Sequence, residues 1–328
     1  MTLTLDRRGV IGGAIGLAGV SGAAPALAQA GPALTSWPPA GAIPLWPGKP
    51  PHSPANLPPP NNSINGAPND RQLWGRGIAM PTLAVFRPAK ANGRAVLVIP
   101  GGGYAFVSVE NEGVNVARSL NALGYTVFVL TYRLPGEGWT TRWDVPMQDA
   151  QRAMRIIRSR WSEYNIDPRR VGVIGFSAGG HLALSLAVGH ADALYRPVDN
   201  ADRLPARPDC LGLVYPVSTV APGSGLKGQS AINLLGPNPP AAAVARYSSD
   251  KRIATGMPPV LLVHAVDDGL VPVDMSLGIF AAARSVGTKA ELHLYELGGH
   301  GFGMALNSTH PAHGWGNMFA RFLGRHLA

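Results

Sequence analysis

Cysteine is almost absent from this 328-residue chain, with Cys210 the only one. A single thiol excludes an intramolecular disulfide framework, a four-cysteine zinc site and a cysteine-held iron–sulfur cluster. Charge is also scarce, at 14% of residues, and the formal balance of +9 contains no block of Lys or Arg. Without a basic run, a helix-turn-helix or a zinc-finger pattern, the cations read as scattered surface arginine, and no nucleic-acid partner is expected. Long apolar runs are missing too. The nearest, residues 9–20, is diluted by glycine and followed by Pro25, which argues against a stable spanning helix and against any membrane partner beyond export. Gly (41) and Pro (31) are plentiful, yet 46% of residues are hydrophobic. That length and composition describe one large α/β-type domain, or two small ones, able to bury a real core.

The first residues read as an address. Arg7-Arg8 precedes the weakly apolar stretch, and Ala26-Leu27-Ala28 closes it before Gln29. A positive flank, an apolar middle and an A-x-A end describe a secretory signal peptide over residues 1–28. The paired arginines make it similar to a twin-arginine signal, which implies a periplasmic or secreted protein. Residues 29–79 form a proline-rich N-terminal arm, with twelve prolines between 31 and 70. Such a stretch is extended rather than helical. Its Trp37, Leu45 and Trp46 suit an arm laid against the domain, a free linker being the alternative.

From residue 80 to 328 the pattern changes. Short apolar runs at 82–86, 95–99, 126–131, 171–175, 211–215, 260–266 and 291–295 are predicted strands. Several lack alternation, the mark of strands buried on both faces of a parallel sheet. Helices are predicted at 147–161, started by Asp144 and Pro146, and near 114–123, 181–188, 276–285 and 315–327. This alternation predicts an α/β fold with a doubly wound, mostly parallel sheet and helices on both faces. Residues 218–258 break the pattern as a short insertion, a loop or small cap, before the run 260–266.

Gly175-Phe176-Ser177-Ala178-Gly179 matches G-x-S-x-G. The motif alone is weak, but here it directly follows a predicted strand and precedes a helix, the setting of a nucleophile elbow. Serine needs a base, and in such folds the order is Ser, acid, His, each after a later strand. Asp267-Asp268 follows one strand and His300, flanked by glycines, follows the next. Composition does not choose between the two carboxylates. Alternation allows only one of them to reach His300. Pro100-Gly101-Gly102-Gly103-Tyr104 follows the strand 95–99, where bare glycine N–H groups, with that of Ala178 from the elbow, can converge beside Ser177 to receive an oxyanion. It lacks the spacing of a nucleotide-binding glycine loop.

Together these residues resemble the α/β-hydrolase superfamily, in its exported acetyl-esterase-like branch of the acetyl xylan esterase type. The resemblance runs from about residue 83 to 327. It rests on Pro100-Gly-Gly-Gly-Tyr104, Tyr132-Arg-Leu-Pro135, Gly175-Phe-Ser-Ala-Gly-Gly-His181, Asp267-Asp268 with Val271-Pro272, and Gly298-Gly-His-Gly-Phe302. Pro100 stands where the hormone-sensitive-lipase pattern has histidine, which sets this chain apart from that branch. The resemblance implies Ser177 as nucleophile, His300 as base, Gly102, Gly103 and Ala178 as oxyanion donors, and no metal or organic cofactor. Its pattern of a strand histidine, the acid and a following Val-Pro, here His264, Asp268 and Val271-Pro272, implies Asp268 as acid. The expected reaction is removal of acetyl or another small acyl group from a carbohydrate. A general short-chain carboxylesterase, a serine peptidase and a catalytically silent carbohydrate-binding homologue are the alternatives. Oligomeric state is not legible.

Tyr104, Trp139 and Trp143 follow predicted strands on the catalytic side, where they would stack on a sugar or pack in the core. His181 reads as structural, Cys210 as an inert buried thiol, and Asp149 and Glu163 as helix surface or cap residues. His310 and His313 form an accidental pair rather than a metal site.

Overall fold

Strands that are apolar at every position can be covered only from both sides, and the sheet shows this. The computed structural model describes residues 34, 36–66, 72–221, 229–304 and 306–328. The expected signal peptide lies outside them. Ten strands occur among the described residues: β1 (Ile43–Pro44), β2 (Ser63–Asn65), β3 (Gln72–Trp74), β4 (Thr82–Phe86), β5 (Ala95–Ile99), β6 (Thr126–Thr131), β7 (Val171–Phe176), β8 (Leu211–Val214), β9 (Val260–Ala265) and β10 (Ala290–Tyr295). Eight form one sheet in the order β1-β4-β6-β5-β7-β8-β9-β10, and β2 with β3 makes a separate hairpin. Pairing is parallel from β6 to β10 and antiparallel for β1–β4 and β4–β6. Every residue of β5, β6, β7, β8 and β9 is buried.

The helices are α1 (Asn115–Asn121), α2 (Val145–Ser159), α3 (Trp161–Tyr164), α4 (Ala178–Gly189), α5 (Gln229–Leu235), α6 (Ala241–Tyr247), α7 (Asp274–Ser285) and α8 (Trp315–His326). They cover both faces. A Cβ on Gly172 would meet Leu323 of α8, whereas one on Gly175, of opposite parity in β7, would meet Ala183 of α4.

Three local differences from the sequence expectation have physical causes. The helix expected at 114–123 is preceded by a π-turn, Glu110–Val114, whose two carboxylates are buried. The helix expected to reach 161 breaks at Arg160, and α3 then closes on Asn165 in left-handed geometry (φ 52°). Asp144 stands at the N-terminus of α2 but makes no side-chain cap; its Oδ1 instead accepts from the Tyr247 hydroxyl at 2.6 Å. The insertion carries two seven-residue helices, α5 and α6.

The arm is packed on the domain. Trp37, Leu45 and Trp46 are buried, and β1 extends the sheet edge. Trp37 Nε1 donates to Thr131 Oγ1 at 2.8 Å, and Trp46 Nε1 donates to Asp149 Oδ1 at 2.8 Å. Asp149 is thus not a helix-surface residue. It is fully buried and also accepts from the backbone N–H and the guanidinium of Arg133, itself buried. The guanidinium also donates to the Pro51 carbonyl and Gln148 Oε1, so the buried charges are both paired and hydrogen-bonded.

Candidate active site

The chain turns from β7 into α4 at Ser177, whose φ of 52° and ψ of −119° are strained for a side chain with a Cβ. Glycine makes the turn possible. A Cβ on Gly175 would lie 2.3 Å from the Gly179 carbonyl oxygen, and one on Gly179 would lie 2.2 Å from that of Ile99. The elbow therefore sits directly on the end of β5, beside the glycine loop.

Ser177 Oγ lies 2.9 Å from His300 Nε2, and His300 Nδ1 lies 2.7 Å from Asp268 Oδ2. An ionised carboxylate only accepts, so Nδ1 carries the proton and Nε2 is free to accept from the serine hydroxyl. Asp268 Oδ1 accepts from the N–H groups of Leu270 and Val271, each at 2.9 Å. A second histidine, His264, reaches Asp268 Oδ2 at 3.2 Å while also bonding the Val271 carbonyl and Ser276. Burial opposes ionisation of Asp268, but its bonds to His264 and His300, the His300 charge and the Val271 N–H outweigh it. The carboxyl is held well below the usual carboxylate range. Asp267 points elsewhere, accepting from the Gly299 N–H at 2.7 Å. It steadies the loop that bears His300.

Gly102 (φ 123°) and Gly103 (φ 60°) bend the loop after β5. The N–H groups of Gly102, Gly103 and Ala178 find no acceptor among the described residues. Gly101 N–H is not available, because Glu112 Oε2 accepts it at 2.8 Å. Asn233 Nδ2 donates to the Gly103 carbonyl at 2.8 Å, bracing the loop from α5. A cavity of about 390 Å³ opens over Ser177, His300, Gly102 and Gly103. Trp74 and Phe106 stack in its wall with ring centroids 3.9 Å apart, joined by the amides Gln72, Asn111, Gln229 and Asn233. Among the described residues, no group of three or more His, Cys, Asp or Glu converges as a metal centre requires.

This arrangement lies on a stretch that the BD-FAE family model matches over residues 83–282. The chain belongs to the BD-FAE family. Two curated relatives are each 34% identical to it. The acetylxylan esterase of Xylanibacter ruminicola aligns over 226 residues, 67% of this chain and 43% of that protein. Endo-1,4-beta-xylanase B of Butyrivibrio fibrisolvens aligns over 210 residues, 64% of this chain and 32% of that protein. The chain thus spans less than half the length of these two relatives. Among solved structures, the acetyl ester-xyloside bifunctional hydrolase of Caldicellulosiruptor lactoaceticus is 32% identical with a TM-score of 0.70, covering 87% of this chain and 96% of that one. MGS-M1, an alpha/beta hydrolase enzyme from a deep-sea metagenome, is 25% identical with a TM-score of 0.56, covering 82% and 98%. The fold is that of the α/β hydrolases.

Within this BD-FAE chain the expected sugar-facing aromatics are not at the cavity. Tyr104 is buried with its hydroxyl 2.7 Å from His181 Nδ1. Trp139 is buried under the Arg133 guanidinium, 4.9 Å from its ring, and Trp143 packs half-buried on the core. Position after a strand put all three at the right end of the sheet, but their loops turn the rings inward. The aromatics that do line the cavity are Phe106 and Trp74, and Trp74 precedes the region that the family model matches. No periodicity marks it, because the three-residue β3 is too short to show one. His181 is fully buried between Tyr104 and the Tyr247 carbonyl, and burial lowers its pKa to about 4. Burial likewise pushes the Cys210 thiol up. Glu163 is half-exposed beside Arg87 and Arg160. His310 Nδ1 accepts from Ala312 N–H, and His313 bonds the Leu306 carbonyl. Glu112 and Tyr215 were not legible in the sequence, since nothing in their spacing joins them to the glycine loop.

Proposed function

We propose that this protein is a serine esterase that removes acetyl, or another small acyl group, from a carbohydrate such as acetylated xylan. The observation that carries the reading is the unbroken relay Ser177–His300–Asp268, with bonds of 2.9 and 2.7 Å, beside glycine N–H groups that lack an acceptor. The names of the acetylxylan esterase relative and the acetyl ester-xyloside hydrolase support the substrate class.

Ser177 Oγ attacks the ester carbonyl as His300 Nε2 takes its proton. Asp268 keeps Nδ1 protonated and offsets the charge of the imidazolium. The N–H groups of Gly102, Gly103 and Ala178 receive the tetrahedral oxyanion, where fixed donors act most strongly. His300 then protonates the departing sugar oxygen, leaving an acetyl group on Ser177. Water enters, loses a proton to His300 and attacks the acyl carbon, and acetate leaves as Ser177 recovers its proton. Trp74 and Phe106 offer flat apolar surface to a pyranose ring, and the surrounding amides pair with its hydroxyls.

Acetate release from acetylated xylan tests this, alongside labelling by a fluorophosphonate. Ser177→Ala should lose both label and activity, the latter by roughly four to six orders of magnitude, with the fold unchanged. Hydrolysis of p-nitrophenyl acetate without acetate release from xylan leaves a general short-chain carboxylesterase. Labelling that survives in Ser177→Ala overturns the nucleophile. We also propose export by the twin-arginine route to the periplasm or beyond. Protein from the producing cell should then begin at Gln29 or within a couple of residues of it, and a mature chain starting at Met1 or Thr2 contradicts this.

A further inference from the structure

We infer that Glu112 is a positioning residue whose buried carboxylate fixes the oxyanion loop against the loop that carries His300. The inference rests on the serine-esterase reading above. Glu112 sits on the π-turn Glu110–Val114, and such single π-turns recur where a fold must aim a side chain that a regular helix would not. Its residue exposure is only 4%. Each oxygen faces a different part of the site. Oε2 accepts from Gly101 N–H at 2.8 Å, and Oε1 accepts from the Tyr215 hydroxyl at 2.8 Å. The Tyr215 oxygen in turn accepts from Gly303 N–H at 2.9 Å, three residues past His300, and its ring lies 4.8 Å from the His300 ring.

Gly101 leaves this contact no slack. A Cβ there would lie 2.7 Å from the Phe176 carbonyl oxygen, 2.8 Å from Glu112 Oε2 and 2.9 Å from Ser177 Cβ. The Gly101 backbone is therefore wedged between the nucleophile elbow and the carboxylate, and its place sets that of the next two N–H groups. Oxyanion donors act only when aimed at the position the oxyanion will occupy, so a small drift costs transition-state stabilisation more than ground-state binding. Burial raises the Glu112 pKa, while the Tyr215 and Gly101 bonds and the His300 charge pull it back. Both carboxylate oxygens meet donors, which is the pattern the ionised form satisfies.

The test compares Glu112→Ala, Glu112→Gln and Tyr215→Phe on p-nitrophenyl acetate, with 1,1,1-trifluoroacetone as a transition-state probe. The ketone adds to Ser177: the Oγ–C bond forms, the carbonyl π pair becomes the oxyanion and the serine proton passes to His300. Glu112→Ala should lower kcat by about 10²-fold with KM within about threefold, and weaken the ketone by the same factor as kcat/KM. Glu112→Gln can accept from Gly101 through Oε1 and donate to the Tyr215 oxygen through its amide. It should return to within about tenfold of the parent. Tyr215→Phe keeps the Gly101 bond and should lose about tenfold in kcat. Glu112→Ala within threefold of the parent overturns the proposal, as does a loss confined to KM or a Gln variant as impaired as Ala. If Glu112→Ala does not fold, parental kcat in Tyr215→Phe overturns it instead. A parent enzyme that the ketone does not inhibit, with activity surviving Ser177→Ala, would point to failure of the esterase reading itself.

Discussion

Asp267 and Asp268 are neighbours with separate partners, and a single substitution at each separates catalysis from loop support. Asp268 binds His300, His264 and the N–H groups of Leu270 and Val271, while Asp267 accepts from the Gly299 N–H in the loop that bears His300. Asp268→Asn should lower kcat by about 10³–10⁴-fold, because the imidazole then adopts the wrong tautomer and its cation loses its counter-charge. Asp267→Asn should cost less than about tenfold, through looser placement of His300. Rates of both variants on one acetyl ester decide the matter, and a larger loss at Asp267 would reverse the assignment. A second outcome concerns pH. Despite burial, Asp268 is held well below the usual carboxylate range by His264, His300 and the Val271 N–H. A profile of log kcat against pH should therefore show no step from Asp268 in the ordinary carboxylate range, around pH 4. A step there would mean that the carboxyl is not held down by its partners. Alternation made it legible that a single carboxylate would face His300, and the family resemblance pointed to Asp268, the one that bonds the ring. The Asp267 partner was not, because it depends on how a glycine turn 32 residues later folds back.

At the scale of elements, α4 shows how the site is braced from behind. His181 stands one turn after Ser177, with Nε2–H donating to the Tyr247 carbonyl at the end of α6 and Nδ1 accepting from Tyr104 in the glycine loop. Only the neutral ring can make both bonds. Burial holds its pKa near 4 against an ordinary 6.5, with Asp250 the charged group that opposes this. The unfolded chain thus binds a proton that the fold refuses between those values. Stability is full above pH 6.5 and falls as pH drops toward 4, by about 3 kcal/mol in total. Denaturant midpoints measured from pH 7 to 4 should fall less in His181→Gln than in the parent, though that variant starts lower. Equal pH slopes would contradict the assignment. The elements themselves were largely legible: β4, β5 and β6 match their apolar runs residue for residue. Their signal is strong because both faces are buried. β1, β2 and β3 were not legible, since strands of two or three residues carry no period and their pairing is set by tertiary contact. The π-turn was equally silent. Its Glu110 accepts from Leu34 and Leu73 N–H groups, so one turn anchors the arm while Glu112 anchors the site.

Across the whole molecule, the arm and the insertion together shape what the catalytic domain can admit. The hairpin β2–β3 brings Trp74 against Phe106, held by a bridge between Gly75 and Val107, and α5 brings Gln229, Ser230 and Asn233 to the opposite wall. The cavity wall thus combines the two stacked rings, Ala105 and the Leu270–Val271 turn with the amides of Gln72, Asn111, Gln229 and Asn233. Seven residues give α5 and α6 a length of only about 10 Å each, too short for the broad amphipathic lid that shelters a fatty acyl chain. Every methylene added to the acyl group would gain about 0.8 kcal/mol if it met an apolar wall. A longer chain would here share the wall with amides, whose loss of water without a partner would offset part of that gain. The cavity of about 390 Å³ must also hold the alcohol of the ester. For p-nitrophenyl esters, kcat/KM should therefore fall by about 10²-fold or more from acetyl to octanoyl, most of it in kcat as the carbonyl is drawn away from Gly102 and Gly103. Steady-state rates across acetyl, butanoyl, hexanoyl and octanoyl esters read this directly. Equal or rising kcat/KM along the series would show that the walls open into an acyl groove, and would remove the small-acyl specificity while sparing the Ser177 mechanism.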